Sequence, residues 1–153
     1  MFNIVLFNPQ IPPNTGNILR LCANTGCKIH LIEPLGFSLD KKSLRRAGLD
    51  YYKNVKINVY KNINDFLSKN INSKIYLITK FGNVNYSKIK YRINDYLMFG
   101  SEIHGLSDEV YQKLDSSEKI FIPMLSNNRS INLSNAVSVC IYEAWKQNNF
   151  LTP

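Results

Sequence analysis

Cysteine is scarce and unpatterned in this chain: Cys22, Cys27 and Cys140 are the only three among 153 residues. An odd set without regular spacing argues against a disulfide framework and fits a reducing compartment, the cytoplasm. Cys22 and Cys27 have no His or Cys partner at metal-ligand spacing, so no metal is expected. The Asn-x-Ser triplets at Asn85, Asn128 and Asn132 are then idle as glycosylation sites. No apolar run reaches membrane-spanning length, so no membrane association is expected. The amino terminus, MFNIVLFNPQ, lacks a basic leader segment and reads as a first strand. Glycine is sparse, at 7 residues, and forms neither the GxGxxG dinucleotide fingerprint nor a GK[ST] phosphate loop. That removes the usual signature of a Rossmann-type dehydrogenase. There is no internal repeat, low-complexity linker or domain boundary, so residues 1–153 are expected to form a single domain.

What is present fits a soluble globular protein, with 44% hydrophobic and 20% charged residues. The length suffices for one compact domain with a core. The formal net charge of +8 is unevenly spread. Residues 1–95 carry 15 Lys and Arg against 5 Asp and Glu, whereas residues 96–153 carry 4 against 6. A basic first part beside a near-neutral last part suggests a surface that meets phosphate; the alternative is a generally solvated basic surface.

Strand and helix patterns alternate. Strands are expected at Phe2–Phe7, Ile29–Ile32, 55–60, Ile75–Thr79, Asp95–Phe99 and Ile120–Ile122. Helices are expected at Thr15–Thr25, 41–47, 63–70, after a Ser107 cap, and at Leu133–Gln147, where Leu133, Val137, Cys140, Ile141 and Ala144 share one face. Such alternation implies an α/β fold with a mostly parallel sheet and helices on both faces.

Three loops follow predicted strands, where open α/β sheets bind ligands. In the first, NTGNILR at 14–20, Asn14 or Thr15 can cap a helix and Arg20 can face the same space; the plainer reading is a capped helix with a surface arginine. In the second, FGSEIHGL at 99–106, Gly100 and Gly105 bracket Glu102; otherwise Glu102 is an exposed turn carboxylate and His104 a surface side chain. In the third, Arg129, Ser130, Asn132, Ser134 and Asn135 crowd a helix start, where backbone N–H groups and a positive dipole end await a polar ligand. The plainer reading is a helix capped by Asn132 or Ser134. Tyr142 and Trp145 read as packing or interface residues rather than base-stacking platforms. Arg45 and Arg46 read as a solvated basic face or a phosphate contact.

Taken together, NTGNILR, FGSEIHGL and IPMLSNNRSINLSNAVSVCIYEAW (122–145) closely resemble the SPOUT RNA methyltransferases of the SpoU class. IPPNTGNILRLCANTG, IEPLGF and RRAGLDY are similar to the small wobble-position tRNA 2′-O-methyltransferases within that class. The resemblance runs almost end to end. It implies an α/β fold whose carboxyl-terminal segment threads a trefoil knot, acting as a homodimer with tRNA bridging the protomers at its anticodon stem-loop. It implies S-adenosyl-L-methionine as cofactor, held by the strand end at Ile78-Thr79, the Gly100 turn and the Ile122–Leu133 loop. Ile78, Ile122, Met124 and Leu133 could line an apolar adenine slot and Ser130 could hydrogen-bond the ligand. The matching positions imply Arg20 at the ribose hydroxyl as base or electrostatic stabiliser, with Asn14, Glu102, Ser130 and Asn132 around it. Arg20, Arg45, Arg46 and Arg129 are the candidate RNA contacts. The class often has arginine where His104 stands. The expected substrate is the wobble nucleotide, position 34, of leucine tRNAs. The alternatives are another tRNA or rRNA site, or a non-catalytic RNA-binding protein of this fold.

Overall fold

The computed structural model describes residues 1–38, 55–126 and 128–152. The expected helix over 41–47, with Arg45 and Arg46, lies outside the described residues.

Seven strands form one sheet: β1 (Asn3–Phe7), β2 (Lys28–Ile32), β3 (Ile57–Tyr60), β4 (Ile75–Ile78), β5 (Val84–Asn85), β6 (Tyr96–Phe99) and β7 (Lys119–Phe121). Their order is β3-β2-β1-β6-β4-β7-β5, and every pairing is parallel. Among the described residues the helices are α1 (Pro12–Thr25), α2 (Ile63–Lys69), α3 (Asp108–Lys113) and α4 (Leu133–Gln147), with a 3-10 turn at Tyr86–Lys88. None of them is long and apolar enough to cross a membrane.

The central strands are buried on both faces, and alternation sorts their side chains into two cores. Ile4, Leu6, Leu97, Phe99, Tyr76 and Ile78 join α1 and α4 residues such as Ile18, Leu19, Val137 and Ile141. Val5, Phe7, Met98, Ile75 and Leu77 point the other way, toward Ile63 and Phe66 of α2 and Val110 of α3. Helices therefore cover both faces. α4 begins and ends where its periodicity predicts, and Ser107 caps α3 through the Val110 N–H.

The start of α1 departs from expectation. Neither Asn14 nor Thr15 caps it: the helix begins at Pro12, with Ile11 at the N-cap position and no capping bond from its own side chain. Pro12 and Pro13 have φ preset for a first turn and no N–H to satisfy, so the helix starts three residues earlier than Thr15. The acceptor expected at a cap comes from elsewhere, as described below.

β7 lies between β4 and β5, although residues 79–83 alone connect those two. Val84 and Ile78 both pair level with Ile120, so the connection must bridge over β7. At the crossing, a Cβ on Gly82 would stand 2.4 Å from the Ile120 carbonyl carbon and 2.7 Å from the Phe121 nitrogen. Only glycine fits there.

Candidate active site

The carboxyl ends of β4, β6 and β7 open into a cavity of about 450 Å³. That volume suits a nucleoside-sized ligand. Its walls come from the three loops singled out in the sequence together with the β4–β5 connection. Asn14, Ile78, Gly100, Glu102, His104, Ile122, Met124, Ser130, Asn132 and Leu133 all line it.

One chain of hydrogen bonds closes these loops on each other. The Glu102 carboxylate accepts from the Gln10 N–H at 2.8 Å, the Ile11 N–H at 3.2 Å and Asn14 Nδ2 at 2.9 Å. It thus supplies from the β6 loop the acceptor that α1 lacks locally, and its negative charge sits at the positive end of that helix. Asn14 Oδ1 accepts in turn from Asn132 Nδ2 at 2.9 Å. Asn132 Oδ1 accepts from the Ser134 N–H at 2.9 Å, the Ser134 hydroxyl at 2.7 Å and the Asn135 N–H at 3.4 Å, capping α4. Each amide donates one way and accepts the other, so both orientations are fixed by their partners. Glu102 is half-buried, not the exposed turn carboxylate of the plainer reading.

The Gly100 turn is tied by its own backbone. Ser101 and Gly105 exchange two hydrogen bonds, at 3.0 and 2.9 Å, and the buried Ser101 hydroxyl accepts from the Ile103 and His104 N–H groups, both at 3.2 Å. A Cβ on Gly100 would lie 2.1 Å from the Gly105 carbonyl carbon. The close approach that requires glycine is therefore that of the Gly105–Leu106 backbone. His104 is exposed at the cavity rim.

Arg20 is exposed on α1 and is not among the residues lining the cavity. Six helical positions rotate it about 120° away from Asn14, which explains the separation. Arg129 and Ser130 are exposed in the third loop, and Ser130 lines the cavity. Arg45 and Arg46 lie outside the described residues. Trp145 packs against Tyr142 and Phe150, with ring centroids 5.8 and 5.4 Å apart, and donates to the Leu151 carbonyl at 2.7 Å.

Thr79 belongs to the strand end expected at the cofactor; other wall residues were not singled out from sequence. The Tyr111 hydroxyl meets that of Thr79 at 2.8 Å, Lys80 and Phe81 stand at the mouth, and Ile11, Ile103 and Ile131 add apolar surface. Tyr111 arrives from α3, and no local pattern could have paired it. Among the described residues, no group of three or more His, Cys, Asp or Glu could hold a metal ion.

Residues 1–142 match the SpoU rRNA Methylase family. The chain belongs to that family. The SpoU relatives include the tRNA (cytidine(34)-2′-O)-methyltransferase of Yersinia pestis, 52% identical over 152 residues that cover 96% of this chain and 94% of the relative. The enzyme of the same description from Escherichia coli K12 is 50% identical over 147 residues, with coverage of 96% and 94%. A solved structure described as giving structural insights into the 2-OH methylation of C/U34 on tRNA superposes with a TM-score of 0.90. It is 38% identical, and 97% of each chain is covered. This SpoU chain thus shares the fold of that solved structure over nearly its whole length.

Proposed function

We propose that this protein is an S-adenosyl-L-methionine-dependent methyltransferase acting on the ribose 2′-hydroxyl of the wobble nucleotide 34, cytidine or modified uridine, in leucine tRNAs. The observation that carries the reading is the hydrogen-bonded chain from Glu102 through Asn14 to Asn132, which gathers three distant motifs around one cavity. The identity of about 50% to cytidine-34 enzymes over nearly the whole chain supports the substrate.

The cavity suits the cofactor by the chemistry of its lining. Ile78, Ile122, Met124 and Leu133 offer an apolar slot, and Ser130 and Asn132 add polar groups at its edge. Once bound, S-adenosylmethionine supplies a methyl group already activated on a sulfonium. The protein must hold the hydroxyl in line and relieve its proton. Asn14, Glu102 and Asn132 fix the loops that shape this space. The Arg20 guanidinium offers N–H donors and no acceptor, so its role is to stabilise the developing alkoxide or hold the adjoining phosphate. Arg129 is exposed beside the mouth and suited to a phosphate.

The reading extends to architecture and setting. The insertion of β7 beneath the 79–83 connection supports the trefoil knot implied by the family. A homodimer bridged by the tRNA anticodon stem-loop is supported by Val139 and Tyr142, apolar residues left exposed on α4. Three free cysteines fit a cytoplasmic enzyme. The test is mass spectrometry of tRNA from cells with and without this protein: the ribose methyl at position 34 is lost without it, and its persistence overturns the assignment.

A further inference from the structure

Phe81 is a large apolar side chain in an unusual place. Its residue is 74% exposed, yet it sits on a tight turn at the mouth of the cavity. The turn is held from several sides. Gly82 N–H donates to the Thr79 carbonyl at 3.1 Å, and Phe81 N–H donates to the Thr79 hydroxyl at 3.3 Å. That hydroxyl also meets the Tyr111 hydroxyl at 2.8 Å, and Gly82 rests on the β7 backbone. Lys80 carries its ammonium 5.0 Å from the Phe81 ring centroid. Turn tips usually carry small polar residues that solvate readily. Here a rigid turn holds an aromatic face toward solvent beside a cation.

That pairing matches what an unpaired nucleotide offers: a flat base for the ring and a phosphate for the ammonium. Because the turn is already fixed, stacking would order little more than one side chain. Resting on the function proposed above, we propose that Phe81 is the stacking platform for an unpaired base of the tRNA anticodon loop, with Lys80 on the adjoining phosphate. Phe81 then helps to choose substrates whose nucleotide can leave its stack, and it does so without touching the reacting atoms. Tyr142 and Trp145, the aromatics more visible in the sequence, are turned instead to α4 and the carboxyl-terminal turn.

The experiment measures binding of an anticodon stem-loop RNA and, separately, of S-adenosylmethionine to the wild type and to Phe81→Ala, Phe81→Leu and Phe81→Trp. Stacking contributes about 1–3 kcal/mol per base, so Phe81→Ala should weaken RNA binding by about 5- to 150-fold. Phe81→Trp should bind as the wild type does, Phe81→Leu should resemble the alanine variant, and cofactor affinity should be unchanged in all three. Replacing one loop nucleotide by an abasic one should weaken the wild type by a similar factor and leave Phe81→Ala little changed. RNA binding by Phe81→Ala or Phe81→Leu equal to that of the wild type overturns the proposal. So does lost cofactor affinity with RNA binding intact, which would make Phe81 part of the cofactor wall. A wild type that binds the RNA through Phe81 but transfers no methyl would overturn the functional reading and leave the stacking platform standing.

Discussion

Glu102 holds the amino end of α1 from 92 residues away in sequence. Two backbone N–H groups and the Asn14 amide all depend on its carboxylate. Glu102→Ala should lower stability by about 2 kcal/mol, read from denaturant midpoints, because it leaves three donors without their charged acceptor. It should weaken cofactor binding as well, since the first and second loops lose their tie. Arg20→Ala should do the opposite: cofactor affinity stays and turnover falls at least about 100-fold, the scale of losing one electrostatic contact to a developing oxyanion. Near-wild-type turnover by that variant would remove Arg20 from the reaction.

His30 is a residue of another kind, buried midway along β2 and not among the residues lining the cavity. Its Nδ1 accepts from the Tyr60 hydroxyl at 2.8 Å, and its Nε2 donates to Asn3 Oδ1 at 3.2 Å. Burial, with Lys28 and Lys56 nearby, pushes its pKa down from 6.5 to about 4. An unfolded histidine takes its proton near 6.5, whereas the folded one waits until about 4. Between those values the unfolded state holds the extra proton, so stability falls as pH drops through that window and is unaffected above it. The loss should reach about 3 kcal/mol by pH 4. The wild type should therefore lose more stability between pH 7 and 4 than His30→Gln does; equal losses would contradict this account.

At the scale of elements, the crossing of the 79–83 connection over β7 makes Gly82 a fixed requirement. A Cβ there would press on the backbone of Ile120 and Phe121, so Gly82→Ala should cost about 3 kcal/mol or more and impair cofactor binding. A calorimetric melting curve checks the first effect and titration with S-adenosylmethionine the second. This requirement shows where sequence reading stops. α4 was legible to the residue because one apolar face and an Asn132 cap mark it locally. Most strands were legible to within two residues for the same reason. β5 has only two residues and carries no pattern. The early start of α1 was hidden because its capping acceptor, Glu102, belongs to another loop. Strand order was not legible either: no periodicity says that β7 enters between β4 and β5. In the site, Asn14, Glu102, Ser130 and Asn132 stood out by residue type and were brought to one cavity. Arg20 shared their motif but stands away from that wall, because helical rotation separates it from Asn14. Thr79 and Tyr111 meet only through the fold.

At the scale of the whole molecule, the excess of 15 basic over 5 acidic residues in the first 95 sets how the protein meets RNA. Binding should be strongly salt-dependent. With about four phosphates neutralised, the slope of log affinity against log salt should be about −3, so a fourfold rise in salt weakens binding by ~60-fold. A slope near zero in filter-binding titrations would mean that the basic part is only a solvated surface.

The central claim is that the sheet's carboxyl ends form one cavity that offers an activated methyl group to one sugar oxygen. The most direct measurement is methyl incorporation from radiolabelled S-adenosylmethionine into two leucine tRNAs identical except for a 2′-deoxyribose at nucleotide 34. The ribose form should accept about one methyl group per tRNA, and the deoxyribose form should accept none. Equal labelling of both would show that the methyl goes elsewhere and would contradict the account.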